Sequence, residues 1–199
     1  MTGGHIVGAM LLPLLTFLVV GCGGDDTEPD LDGGPEPLML FRFEKFTSAP
    51  RIDDGEVTLR SLAGKVVLLD LFATWSSPCR RSAPLLVSLH ERYRGEGFEI
   101  LGLAYEQTRD VVQATRAAEA FRSEFRIPYI LAIGPDVLWE ELRQNTTVMG
   151  DVPTIVLMDR QGVVRDVFEG LPPGREAVLA DRIERLLAEP YVPLPSYGG

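Results

Sequence analysis

The sequence predicts an α/β fold: a central mixed β-sheet flanked by helices, extended on its N-terminal side by a β-hairpin. Three observations predict it. Val66-Val67-Leu68-Leu69-Asp70-Leu71-Phe72 is an almost unbroken apolar run of strand length, as a strand buried on both faces requires. Within a few residues this run passes into an amphipathic helical stripe, and strand-like and helical patterns then alternate. Finally, Asp159-Arg160-Gln161-Gly162 has the composition of a tight turn and joins two short apolar runs ahead of a last helix.

The chain opens differently. Residues 6–20 form an apolar run too short for a comfortable membrane span but of the length of a signal-peptide core. The run ends in Val19-Val20-Gly21-Cys22, which resembles the bacterial lipobox, although only His5 and no Lys or Arg precedes it. Residues 1–21 are therefore expected to be a lipoprotein signal peptide and Cys22 the lipidated residue. An uncleaved anchor or an ordinary secretory signal is the alternative. The expected location is the bacterial cell envelope, lipid-anchored, with the domain outside the cytoplasm and the membrane met only through Cys22. Residues 22–39 are rich in Gly, Pro and acids, and cannot bury enough apolar surface to fold. They read as a tether, residues 40–189 as the domain, and residues 190–199 as a tail.

Composition narrows the function. With 45% hydrophobic and 24% charged residues, the chain has material for a real core. Its net charge of −10 argues against nucleic acid, which needs a basic face. Asp25, Asp26, Glu28, Asp30, Asp32 and Glu36 supply more than half of that charge, so the domain itself is only mildly acidic. Cys22, Cys79, His5 and His90 show no metal-ligand spacing, so neither a metal nor another cofactor is expected.

Within the domain, Phe41 and Phe43 are expected on one face of an edge strand, with Phe46 out of step. Asp53-Asp54-Gly55 before Val57 and Leu59 reads as a hairpin, and Ser61-Leu62-Ala63-Gly64-Lys65 leads into the central strand. Leu85, Leu86, Leu89 and Tyr93 stripe the first helix, which Pro84 is expected to kink. His90, beside Glu91 and Arg92, is assigned to that helix's exposed side. Phe98 to Tyr105 is a second inner strand. Val111, Ala114, Ala118 and Phe121 stripe the next helix, and Pro128 to Leu131 is a short strand. One or two helical turns around Trp139 and Leu142 follow. Gly150-Asp151-Val152-Pro153-Thr154 leads into the strand Ile155 to Met158, and Val163 to Phe168 returns antiparallel. Val178, Leu179, Ile183, Leu186 and Leu187 stripe the last helix.

The chemistry is expected where the central strand meets its helix, at Thr74-Trp75-Ser76-Ser77-Pro78-Cys79. A helix N-terminus there stabilises an anion, including a thiolate. The stretch resembles the redox turn of thioredoxin-like proteins, where Trp-Cys-x-x-Cys occupies this place. Together with the hairpin, Leu62-Ala63-Gly64-Lys65 and Val152-Pro153-Thr154, it resembles the TlpA/ResA family of membrane-tethered thiol–disulfide oxidoreductases over roughly residues 40–189. Here Ser76 replaces the first cysteine and only Cys79 is present. A serine is a poor nucleophile without an adjacent base and forms no disulfide, so two-cysteine exchange is excluded. Ser76 is equally well suited to cap the helix.

The resemblance implies further roles. Asp70 matches the proton acceptor for the second cysteine, and a lone carboxylate in an apolar strand must be paired or hold a proton. The family commonly places a glutamate three residues after the second cysteine and a proline two further on; here these are Ser82 and Pro84. Val152 and Pro153 match the cis-proline loop, whose backbone pairs with extended substrate. Trp75 either shields the site and packs on substrate or belongs to the core. Three readings follow in order: single-cysteine redox chemistry at Cys79, alone or with a partner's thiol; a peroxiredoxin-like one-cysteine peroxidase, from the Ser76-x-x-Cys79 spacing; and a non-enzymatic module holding an extended peptide in the cis-proline groove. For the second, the family's proline seven residues before the cysteine is Phe72 here.

Overall fold

The computed structural model describes Met1, residues 40–171 and residues 174–191. The N-terminal apolar run, Cys22, the acidic tether and residues 192–199 lie outside the described residues. The elements are β1 (Ser48–Pro50), β2 (Glu56–Thr58), β3 (Val66–Phe72), α1 (Ser77–Tyr93), β4 (Phe98–Ala104), α2 (Val111–Phe125), β5 (Ile130–Ile133), α3 (Asp136–Asn145), β6 (Thr154–Met158), β7 (Val164–Glu169) and α4 (Glu176–Ala188). β1 and β2 form the expected hairpin. The other five strands form one mixed sheet in the order β5-β4-β3-β6-β7.

β3 is the sheet's centre and all seven of its residues are buried. It runs parallel to β4, and β4 parallel to β5, with α1 and α2 as the crossovers that parallel pairs need. β6 and β7 are antiparallel additions joined by the Asp159 turn. Alternation along β3 sorts two cores. Val66, Leu68 and Phe72 pack with Leu86 and Leu89 of α1, Phe121 of α2 and Ile183 of α4. Val67, Leu69 and Leu71 join Phe46, Leu62 and, from α3, Leu138 and Leu142. Asp70 shares the parity of Leu68 and Phe72, which places it under α1.

The hairpin has a physical purpose. A bridge between Arg51 and Ala132, and the Ile52 N–H donating to the Leu131 carbonyl at 3.1 Å, lay it on the outer edge of β5. That edge would otherwise offer unpaired backbone to another chain. The segment before it is tied to α3 by Glu141. One oxygen of this buried carboxylate accepts from the N–H groups of Glu44 and Lys45 at 2.7 and 2.9 Å, and the other from that of Phe46 at 2.8 Å.

Three expectations are corrected. Phe41 makes one bridge, to Val164, and no strand forms around it; Phe43 meets both Phe41 and Phe46 edge to face, and a strand's alternation would put Phe46 on the face opposite Phe43. Val111 is 55% exposed, because it is the first residue of α2 beyond its Asp110 cap and precedes the turn that meets the core. His90 is buried, not on the surface: it lies four residues after Leu86 and three before Tyr93, on the apolar face of α1, and its Nε2 lies 3.0 Å from Glu99 Oε1. In addition, α3 is longer than the expected one or two turns.

Candidate active site

Ser76 is the N-cap of α1, with extended backbone at φ −79° and ψ 117°. Its Oγ accepts from the Cys79 N–H at 3.5 Å and donates to the Val152 carbonyl at 3.3 Å. One hydroxyl thus caps the helix and stitches the turn to the loop before β6. The turn is also held from the loop just after β4: the Thr74 N–H and Oγ1 donate to the two oxygens of Glu106 at 2.9 and 3.0 Å. Trp75, between them, is 54% exposed and belongs to the rim of the site, not to the core.

Cys79 lies one turn into α1 and is 2% exposed, within the cluster that contains Phe72, Ala83 and Leu86. Burial pushes its thiol pKa up; hydrogen bonds from Ser76 and the backbone at Ala73 pull it down without reversing the shift, and Asp70 adds to the rise. The resting sulfur is therefore a protonated thiol at neutral pH. Ser82, where the family's glutamate is commonly found, is buried and turns its hydroxyl back onto the Cys79 carbonyl at 3.0 Å.

Asp70 is 5% exposed, and its Oδ1 has no hydrogen-bond partner. Its register partners are Gly102 on β4 and Ile155 on β6. Gly102 is required here: a Cβ at this position would lie 2.4 Å from Leu131 Cδ2 and 3.5 Å from the Tyr129 ring. With no side chain beside it on β4, Asp70 sits in apolar and aromatic surroundings, and burial pushes its carboxyl up to about 7. The Tyr129 hydroxyl is pushed well above its ordinary value, by burial first and then by Asp70. A carboxyl raised this far by burial can take up or give up a proton near neutral pH.

The Val152–Pro153 peptide is cis. Because β6 is antiparallel to β3, its start lies beside the end of β3, which brings Val152 to Ser76. Gly170 N–H donates to the Pro153 carbonyl at 2.7 Å, and Thr154 Oγ1 to the Asp151 carbonyl at 2.6 Å. Just before the proline, the N–H groups of Met149, Gly150 and Asp151 converge on Glu169 Oε1 at 2.6, 3.0 and 3.5 Å.

Asp70, Ser76, Cys79, Val152 and Pro153 thus meet at one end of the sheet, with Trp75 at the rim. Cys22 lies outside the described residues. His90 lies eleven residues along α1 from Cys79, about 16 Å by helical rise, and takes no part. Glu106 and Glu169 are the residues that sequence reasoning missed. Their partners are 18 to 32 positions away in the chain, so no local spacing marks them.

This arrangement can be set beside known proteins. Residues 42–167 match the model of the AhpC/TSA family. The chain belongs to the AhpC/TSA family. It is 24% identical over 178 residues to the thiol-disulfide oxidoreductase ResA of Oceanobacillus iheyensis, covering 89% of this chain and 82% of that protein. With ResA of Bacillus thuringiensis (strain Al Hakam) it shares 28% identity over 121 residues, covering 60% of this chain and 63% of the relative. A Chlorobium tepidum protein assigned as thiol:disulfide interchange protein DsbE superposes with a TM-score of 0.62 at 26% identity, over 75% of this chain and 99% of that one. A secreted thiol-disulfide isomerase of Corynebacterium glutamicum shares the fold at a TM-score of 0.61 and 19% identity, over 79% of this chain and 96% of that one. The fold is thioredoxin-like and the kinship is with thiol–disulfide oxidoreductases of ResA and DsbE type, in line with the resemblance drawn from the turn.

Proposed function

We propose that this protein is an envelope-facing lipoprotein whose thioredoxin-like domain has lost two-cysteine exchange and retains at most single-cysteine redox chemistry at Cys79. The observation that carries this reading is the first position of the turn. There Ser76 serves as a cap and a stitch to Val152, and Cys79, the one cysteine among the described residues, lies behind it with its thiol protonated. In this scheme Asp70 takes the thiol proton as the Cys79 sulfur attacks a partner's disulfide. One S–S bond breaks as the mixed disulfide forms, and the released thiolate takes up a proton. With no second cysteine in the turn, a partner's thiol must resolve the mixed disulfide. The proposed partners are therefore protein thiols, or an extended peptide seated against Trp75, Val152 and Pro153. The lipid anchor rests on Val19-Val20-Gly21-Cys22; mass spectrometry of the mature protein should find diacylglycerol on Cys22 and nothing before it.

The test of the turn is a reductase assay. Wild type should not turn over model disulfides without an added thiol protein, whereas Ser76→Cys should form an internal disulfide with Cys79. Catalytic reduction by wild type alone contradicts the proposal. A second reading, a one-cysteine peroxidase, is favoured by the AhpC/TSA match and by Ser76 three residues before Cys79. It needs a thiolate at neutral pH, so the raised thiol pKa ranks it second. Rapid formation of sulfenic acid at Cys79 on peroxide titration would reverse that order.

A further inference from the structure

Any chemistry at Cys79 meets an obstacle. Cys79 is 2% exposed, and the hydroxyl of Ser76 that accepts from its N–H also donates to the Val152 carbonyl. Val152 packs against the apolar cluster that contains Cys79, and its carbonyl is held by Ser76 Oγ. Displacing this loop breaks the Ser76 contact and uncovers part of that cluster, which opens a route for a partner sulfur. What holds the loop in place therefore bears on access.

The holding contact is unusual in form. Three consecutive N–H groups, those of Met149, Gly150 and Asp151, point at a single oxygen, Glu169 Oε1. Successive N–H groups converge in this way only when the backbone makes a concave nest, and a left-handed residue is one way to make it. Gly150 supplies that residue, with φ +102°. A side chain there would be strained, and its Cβ would lie 2.8 Å from the Arg143 guanidinium. Glu169 is the last residue of β7, whose antiparallel pairing with β6 brings it opposite Thr154. The following residue, Gly170, donates to the Pro153 carbonyl. The end of β7 thus grips the loop on both sides of Val152. Met149 is 80% exposed, so apolar packing contributes little at that point, where the carboxylate holds the chain.

We infer that Glu169 is a positioning residue that latches the loop Met149–Val152 against Ser76 and the apolar cluster that holds Cys79, so that release of this latch gates a partner's access to the thiol. The inference rests on the proposed single-cysteine reading, but it concerns access to the sulfur and not what reacts there. Because one oxygen accepts all three bonds, an amide oxygen at this position can replace it. Glu169→Gln should keep the latch, whereas Glu169→Ala should lose it.

The test is the rate of alkylation of Cys79 by iodoacetamide in the full chain, read by peptide mapping so that Cys22 does not interfere. Wild type should react slowly. Glu169→Ala should react about tenfold faster, as expected for loss of a set of partly exposed hydrogen bonds, and Glu169→Gln close to wild type. A urea series separates local release from unfolding, because a local opening exposes little surface and gives a shallow dependence. A rate unchanged in Glu169→Ala, an equal increase in Glu169→Gln, or a urea dependence as steep as global unfolding each overturns the latch. Alkylation of wild type as fast as that of the urea-unfolded chain overturns both the latch and the shielded thiol. A slow wild type with an unchanged Glu169→Ala overturns only the latch.

Discussion

Two buried carboxylates, on opposite faces of the same sheet, are treated in opposite ways. Glu141 is 4% exposed and Asp70 is 5% exposed, so burial alone does not separate them. Glu141 receives three backbone N–H groups at 2.7 to 2.9 Å and ties the segment before the hairpin to α3. Asp70 has an oxygen with no partner, a glycine beside it on β4, and a carboxyl pushed up to about 7 by burial. The first is a carboxylate with hydrogen-bond partners on both oxygens that organises structure. The second is a group for which being charged is costly, placed under the helix that carries Cys79. A fold optimised only for stability replaces such a residue with an apolar one.

The largest expected effect falls on the structural carboxylate. Glu141→Ala leaves three N–H groups without their acceptor and should cost about 3–5 kcal/mol of unfolding free energy, measured by urea titration. A cost as small as that of an exposed salt bridge would show that the segment before the hairpin is held by its phenylalanines alone.

The next effect belongs to Asp70 and is read through pH. Its carboxyl binds a proton more tightly folded, up to about 7, than at its ordinary value of 3.8. Between those values the folded state holds more protons than the unfolded one, so this group makes stability fall as pH rises, and the loss is complete above the folded value. The span corresponds to about 2–4 kcal/mol, the upper figure assuming no relaxation around the charge. Asp70→Asn should remove this slope and so gain on wild type between pH 4 and pH 8. Identical pH profiles for the two proteins would place Asp70 in a polar setting and dissolve the contrast with Glu141.

A smaller effect tests what makes the Asp70 setting apolar. Gly102→Ala puts a Cβ 2.4 Å from Leu131 Cδ2, where the core must give way. The expected cost is about 1–3 kcal/mol. The shift of Tyr129 and Leu131 should also wet Asp70 and flatten its pH dependence. A neutral substitution that keeps the wild-type profile would mean that the glycine is not what seats those side chains.

Much of this was legible in the sequence because it is written in short-range patterns. The run from Val66 to Phe72, the helical stripe after Cys79, the turn at Asp159 and the Val152-Pro153-Thr154 loop each carry their own signal. Asp70 stands out in an apolar strand, and Ser76 at a helix start suits a cap. What escaped depends on distant partners. His90 is flanked by charges, yet its spacing from Leu86 and Tyr93 puts it on the core face, where Glu99 of the neighbouring strand receives it. Glu106 and Glu169 resemble ordinary surface acids until the sheet brings Thr74 and the loop at Gly150 within reach. Phe41 and Phe43 alternate like a strand, but they pack on Phe46 and on each other.

The central claim is that the turn keeps a shielded, protonated thiol above a proton-exchanging carboxylate, where the family's exchange chemistry uses an exposed thiolate. The most direct measurement is the pH dependence of Cys79 alkylation, in wild type and in Asp70→Asn. Wild type should react slowly at neutral pH, with its rate rising only above the ordinary thiol range, because burial and then Asp70 disfavour the thiolate. Alkylation by a small reagent reads the standing fraction of thiolate, which a charged Asp70 lowers. Asp70→Asn should therefore react faster at pH 8 and like wild type at pH 5, even though the same carboxylate is proposed to accept the proton during attack on a disulfide. A wild-type thiol that titrates below pH 7 and reacts rapidly there, whatever stands at position 70, would contradict the account.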